Sequence, residues 1–178
     1  MKETIKQAAA SLFAEYGYAG TSLAQISEKV GIKKPSIYAH YKSKDHLFEY
    51  VLQDAFNVEM KRVEKANNLY RLLQSYLFLY DEDPLFRFLL TSSFFPPDFL
   101  KESILQKYEA YLNALESKVR ALLKLPADQA DDAAVMYTII LDSLFVELCY
   151  GTRKKSEKRL DVAWRVYKQQ FLKGQEKQ

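Results

Sequence analysis

The apolar positions of this chain recur at helical spacing from its first residues. Ile5, Ala8, Ala9, Leu12, Phe13 and Tyr16 fall three and four apart, along one side of an amphipathic helix. Thr4 and Gln7 have the spacing of a capping box at its start, and Gly17 is positioned to stop it. A second helix is predicted from Ser22, with Gln25 three residues on as the reciprocal cap. It buries Leu23, Ile26 and Val30 and ends at Gly31, where a left-handed residue costs glycine least. A third, short helix runs from about Lys34 to His40. Its Pro35 is tolerated because the first N–H groups of a helix have no partner within it. Ser43 then caps a long fourth helix, with Asp45 in the first turn and Leu47, Val51, Ala55 and Val58 on the apolar side.

Beyond Asn67 and Asn68 the helical segments are longer and richer in aromatic residues. They are predicted near 69–80, 84–94, 99–124, 128–150 and 156–172, with breaks at Asp81–Pro84, Pro96–Pro97, Pro126 and Gly151. Helix 128–150 is apolar nearly all round, so it must be covered on more than one side. The last helix carries a stripe of Leu160, Ala163, Trp164, Tyr167 and Phe171, with Val162 and Val166 beside it. The expected fold is all-α: a three-helix N-terminal domain over residues 1–47 and a larger helical domain over 48–178.

Charge sharpens this division. Residues 1–47 hold seven lysines and four carboxylates, while residues 48–178 hold nineteen basic and nineteen acidic side chains. The whole net charge of +3 therefore sits in the first quarter of the chain, where a polyanion would be met. Composition otherwise excludes more than it specifies. Five glycines and five prolines are too few for a turn-rich β fold, and a single cysteine, Cys149, rules out an internal disulfide framework. The N-terminus does not read as a signal peptide, and the longest apolar run, 133–146, is split by Asp142. A cytoplasmic protein without a membrane partner is expected.

The segment 21–44, TSLAQISEKVGIKKPSIYAHYKSK, puts two helices either side of a glycine turn. That is helix-turn-helix geometry, in which the N-terminal residues of the second helix enter the major groove. Ile26, Val30, Ile32 and Ile37 can pack the pair together, leaving Lys33, Lys34 and Ser36 exposed at the start of the recognition helix. Lysines there oppose the helix dipole. A phosphate or a guanine edge accounts for that placement better than solvent alone.

With Thr21, Ile26, Gly31, the pair Ile37–Tyr38, the aromatic Tyr41 and the cap Ser43–Lys44–Asp45, this run resembles the signature of the tetracycline-repressor (TetR) family. The resemblance implies that Thr21 or Ser22 binds phosphate and that Lys34, Pro35 and Ser36 face base edges. It also implies that Tyr38, His40 and Lys44 hold the DNA backbone. Three positions depart from the family's habit: Ala24 where a charged residue is common, Lys33 where Ser or Thr is common, and Pro35 where a small residue is usual. The operator sequence therefore does not carry over.

The resemblance also implies a pocket among the middle helices, with Tyr76, Tyr80, Phe94, Tyr111, Tyr137 and Asp142 as candidate lining. Asp142 at such a site would favour a cationic aromatic ligand, while a neutral lipid-like one is equally open. The two last helices are expected to form a two-fold four-helix interface through Ile140, Leu144, Leu148, Leu160, Trp164 and Tyr167. His40 and His46, six apart with one distant cysteine, do not match a metal-ligand pattern. No phosphate-cradling glycine loop or nucleophile elbow is present, so no cofactor and no enzymatic activity are expected. The implied function is a homodimeric repressor that binds a palindromic double-stranded operator and is released by a small-molecule effector. An architectural or protein-recruiting DNA-binding factor is the alternative, and the sequence does not separate repressor from activator.

Overall fold

A computed structural model describes residues 1–172 of the chain, so the last six residues of the expected second domain, 173–178, lie outside the described residues. The regular elements among the described residues are helices. They are α1 (Lys2–Gly20), α2 (Leu23–Val30), α3 (Lys34–Tyr38), α4 (Lys44–Lys65), α5 (Leu69–Glu82), α6 (Pro84–Phe94), α7 (Lys101–Leu123), α8 (Ala127–Tyr150) and α9 (Arg153–Phe171), with a short 3-10 turn at Asp98–Leu100. The all-α expectation holds.

Local chemistry accounts for most of the boundaries. The capping box of α2 forms as expected: the Gln25 N–H donates to Ser22 Oγ at 3.2 Å, and the Ser22 N–H donates to Gln25 Oε1 at 2.7 Å. Gly31 ends α2 in the left-handed region, with φ at 74°. The expected Thr4–Gln7 box does not form, because α1 begins three residues earlier, at Lys2, with Met1 at the cap position and no side-chain cap. Gly17 does break α1, at φ 68° and ψ 178°, but a further helical turn follows to Gly20. α9 begins at Arg153, capped by the Thr152 hydroxyl, and so starts ahead of its apolar stripe. Its first turn is polar and carries no periodicity to read.

The chain divides into two compact units. The first joins Met1–Val58 with Tyr80–Lys107, and the second joins Glu59–Leu79 with the chain from Tyr108 onward. This division follows packing, whereas the expected cut between residues 47 and 48 followed function. In the first unit α6 lies along α1. Phe13, Phe48 and Phe88 form an aromatic core there, with ring centroids 4.8, 5.0 and 5.9 Å apart pairwise. All three are buried. In the second unit α8 and α9 form an antiparallel hairpin, shown by the Tyr167 hydroxyl donating to the Ala133 carbonyl at 3.0 Å and by Arg159 meeting Glu147 at 2.8 Å. Trp164 stacks between Tyr70 and Tyr167, each 5.1 Å away.

The N-terminal helices thus depend on α6 for their core. Phe88→Ala is expected to cost about 3–5 kcal/mol, the usual price of emptying a phenylalanine site. It should melt α1 to α4 cooperatively in a denaturant titration. A chain ending at Val58 should be largely unfolded by circular dichroism. A stable 58-residue fragment would show that α6 is dispensable.

Candidate nucleic-acid interface

The helix-turn-helix is held from behind by side chains rather than by its own backbone. Ile26 and Ile37 are fully buried and join α2 to α3, and Tyr41 is buried behind them. The turn closes through the Gly31 and Ile32 N–H groups, which donate to the Glu28 and Ser27 carbonyls at 3.0 and 2.9 Å. Behind α3 the chain turns again. The Lys42 N–H donates to His46 Nδ1 at 3.1 Å, and the His46 N–H donates to Ser43 Oγ at 3.1 Å. Lys2 caps this region from α1, its ammonium 4.2 Å from the Tyr50 ring centroid and 5.7 Å from that of Tyr41.

What is left outward is consistent with a surface that meets an anion. Ser22, Lys33, Lys34, Pro35, Tyr38 and His40 are exposed, and Ser36 is half-buried. Lys33 ends in an extended conformation at the start of α3 with no side-chain cap. Lys34 lies over the Tyr38 ring at 5.9 Å, so the two side chains share one side of the short helix.

Two of the expected contacts are committed elsewhere. Thr21 is 2% exposed, and its single O–H is shared between the Leu12 and Gly17 carbonyls, 3.0 and 2.9 Å away. It is a clamp on the end of α1, and of the pair Thr21 or Ser22 only Ser22 faces solvent. Lys44 donates to the Tyr18 and Thr21 carbonyls at 2.8 and 3.0 Å and sits 4.0 Å from the Tyr18 ring centroid. An ammonium has three N–H donors, so one remains for a phosphate. Tyr18 completes the corner by donating its hydroxyl to Asp45. Burial and the bond to Asp45 push the Tyr18 hydroxyl up to about 12. Sequence reasoning missed Tyr18, since nothing in its spacing separates it from an ordinary surface tyrosine.

The six candidate ligand residues are not gathered in one unit. Tyr80 and Phe94 belong to the first unit, while Tyr76, Tyr111, Tyr137 and Asp142 belong to the second. Tyr76 and Tyr111 are buried with their hydroxyls 3.0 Å apart, and the Tyr137 hydroxyl donates to the Leu69 carbonyl at 2.8 Å. Asp142 is half-buried and accepts from the Tyr108 hydroxyl; burial pushes its carboxyl up, offset in part by that bond. Glu59, 3% exposed, pairs with Arg62 at 3.0 Å in the same unit.

The six expected interface residues are core residues of one chain. Ile140, Leu144, Leu148, Leu160, Trp164 and Tyr167 are all buried within the second unit. They form the seam between α8 and α9 and the contacts beneath it, which obey the same periodicity as an outer stripe. The apolar side chains left on the surface of the hairpin are others, among them Val135, Ile139, Val162 and Val166, 48, 53, 45 and 57% exposed. A groove of about 430 Å³ runs between the two helices, lined by Ile139, Leu144, Glu147, Leu160 and Val162 among others.

Comparison with known proteins bears on this site directly. Residues 5–51 match the family described as "Bacterial regulatory proteins, tetR family". The chain is similar to the biofilm operon icaADBC HTH-type negative transcriptional regulator IcaR of Staphylococcus epidermidis, with 35% identity over 89 residues. That match covers 46% of this chain and 48% of the relative, so the chain spans about half the length of the curated relatives it matches. Among solved structures, a TerR/AcrR-family transcriptional regulator of Aquifex aeolicus superposes with a TM-score of 0.71 at 22% identity, covering 93% of this chain and 98% of that one. A TetR-family regulator of Bordetella parapertussis gives 0.67 at 18% identity, covering 94% and 92%. These two likenesses establish the fold along nearly the whole chain.

The buried position of Thr21 has a measurable consequence. Thr21→Val keeps the shape but removes the donor from two carbonyls, which should cost about 1–3 kcal/mol. Thermal melting should show the loss, while duplex affinity of the protein that remains folded at low temperature stays unchanged. A variant of full stability with weakened DNA binding would make Thr21 a phosphate contact instead.

Proposed function

We propose that the chain, whose residues 5–51 match the tetR family of bacterial regulatory proteins, is a member of that family and acts as a homodimeric repressor that binds a palindromic duplex operator and is released by a small effector. The observation that carries this reading is the exposed set Ser22, Lys33, Lys34 and Tyr38 on a helix pair fixed from behind by Ile26, Ile37 and Tyr41. Lys34, Pro35 and Ser36 read base edges, since the N-terminal residues of a recognition helix reach deepest into the major groove. Ser22, Lys33, Tyr38, His40 and the remaining N–H of Lys44 hold phosphates, which position the protein without reading sequence. The relative's name, a negative transcriptional regulator, supports repression. Its regulator would act where the chromosome lies, in the cytoplasm.

Dimerisation is supported by the apolar residues that α8 and α9 leave exposed, Ile139 and Val166 foremost. A two-fold pair of hairpins would cover them. Effector response is supported by the chemistry of the second unit: the buried Tyr76 and Tyr111 hydroxyls, which feel the charge of Glu59, and the half-buried Tyr108 hydroxyl on Asp142 suit a small hydrophobic or aromatic ligand with a polar or cationic group. Release would be a population shift toward dimers whose recognition helices no longer match two successive major grooves.

Binding titrations on the operator and its single-base variants, each at several salt concentrations, test the DNA reading. Lys34→Ala should shrink discrimination at one base pair by about 1–3 kcal/mol. Lys33→Ala should weaken all sequences alike and flatten the salt dependence by roughly one unit of slope per half-site contact. The absence of any preferred duplex would overturn the reading. Sedimentation tests the dimer. Ile139→Glu, at an exposed position, should give a folded monomer, whereas Leu144→Glu, at a buried one, should unfold the second unit. Wild-type chain that stays monomeric at micromolar concentration would refute dimerisation.

A further inference from the structure

The exposed face of the α8–α9 hairpin has a polarity along its length. On α8, Asp128, Asp132, Ile139 and Val146 recur at spacings of four and seven residues and so line one side of the helix. All four are exposed. That side opens with carboxylates and continues apolar. On α9, Lys155, Lys158, Val162 and Val166 do the same at spacings of three and four, also exposed, and that side opens with ammonium groups and continues apolar. Since the hairpin is antiparallel, with Tyr167 beside Ala133 and Arg159 beside Glu147, the acids and the bases stand at opposite ends of one face. At 1.5 Å per residue the two ends are about 25 Å apart, with the apolar residues between them.

The acids alone would be unremarkable, because carboxylates at a helix N-terminus complement its dipole. The bases do not have that explanation. Arg153, Lys154 and Lys155 stand in the first turn of α9, where positive charge is disfavoured, and Lys158 and Arg159 follow in the second, against Glu157 as the one carboxylate of the two turns. Glu147 of α8 compensates part of this, its Oε1 2.8 Å from Arg159 and its Oε2 3.3 Å from Lys155, and Glu157 takes Arg153 at 2.7 Å. Lys158 pairs with no carboxylate among the described residues, and neither Asp128 nor Asp132 pairs with a cation there. Asp131 is already held by Arg120 at 2.6 Å. Among the described residues the face therefore keeps a surplus of one sign at each end.

We propose that this face is self-complementary: a second copy of the chain docks on it antiparallel, about an axis passing near Ile139 and Val162, so that Asp128 and Asp132 of each copy meet Lys155 and Lys158 of the other. Rotation by half a turn about an axis that lies in the face and runs across the helices brings the face onto its copy and exchanges its ends, placing acid beside base at both ends and apolar on apolar between them. A parallel pairing would set acid on acid and base on base. The ends thus fix orientation and register while the apolar middle supplies the affinity, as charged positions do in paired helices generally. The proposal rests on the dimer reading above and adds to it the charges that select one arrangement.

Two variants of the full chain test it, one carrying Asp128→Lys and Asp132→Lys and the other Lys155→Glu and Lys158→Glu. Each makes both ends of the face alike. Each alone should dimerise at least tenfold more weakly than wild type in sedimentation, with helical content retained because all four positions are exposed. A small drop in melting temperature is expected from losing the Lys155–Glu147 pair or the first-turn carboxylate Asp128. Mixed in equal amounts, the two should recover a heterodimer close to wild-type affinity, because each altered end then meets its opposite. That recovery also shows that both chains are folded. Variants that dimerise as tightly as wild type, or that fail to recover on mixing, overturn the charge register while leaving the dimer standing. Wild-type chain that is monomeric throughout overturns both.

Discussion

The recognition helix can be no better placed than the corner on which α2 starts, and that corner is built on carbonyls on either side of a glycine break in α1. Gly17 leaves the helical region at φ 68°, so the end of α1 cannot satisfy its own backbone. Thr21 covers the Leu12 and Gly17 carbonyls, Lys44 covers those of Tyr18 and Thr21, and Tyr18 both shields the Lys44 ammonium and bonds Asp45. Four side chains from α1, the α1–α2 junction and the start of α4 thus close one network. Every member uses a partner that water would otherwise take, which makes the arrangement rigid and the loss of any member costly. The buried isoleucines of α2 and α3 then carry that rigidity forward to Lys33, Lys34 and Tyr38.

This explains which parts of the site were legible in the sequence. Ser22 with Gln25, Gly31 and the paired lysines act through their nearest neighbours, so spacing alone locates them. Thr21 and Lys44 are polar residues at positions where a family resemblance implies DNA contact, and their chemistry suits a phosphate equally well. Only the fold shows that their hydrogen bonds go to α1 carbonyls, nine and 26 residues away in the chain for the Leu12 and Tyr18 bonds. Tyr18 was invisible for the same reason, since its role depends on a contact with Asp45 across 27 residues.

The hairpin of α8 and α9 shows a different limit. Leu144 and Ile139 are both apolar, both on α8 and five residues apart, yet one is 4% exposed and the other 53%. Helix 128–150 is apolar on several sides, so periodicity shows that it must be covered without showing by what. The inner side is covered by α9 and the rest of the second unit, and the outer side is left. The polar residues resolve what the apolar ones cannot. Asp128 and Asp132 continue the Ile139 side of α8, and Lys155 and Lys158 continue the Val162 side of α9.

On the readings proposed here, the chain uses one device at two places. Lys33 and Lys34 stand at the start of α3, and Lys155 stands in the first turn of α9 with Lys158 one turn on, the first-turn lysines being where an isolated helix would disfavour positive charge. Such placement leaves charge uncompensated in the free chain and compensated only on association, with phosphate in one case and with carboxylates of a second copy in the other. Both associations are therefore weakened by salt, the first by counterion release and the second by screening. On the proposed reading the dimer binds a palindromic operator, so the two effects multiply when protein is scarce. The apparent salt slope of operator binding then exceeds the number of phosphates touched, and it falls to that number only when the protein concentration is high enough to keep the dimer intact. Operator occupancy and assembly are thus coupled through ionic strength, before any effector is considered.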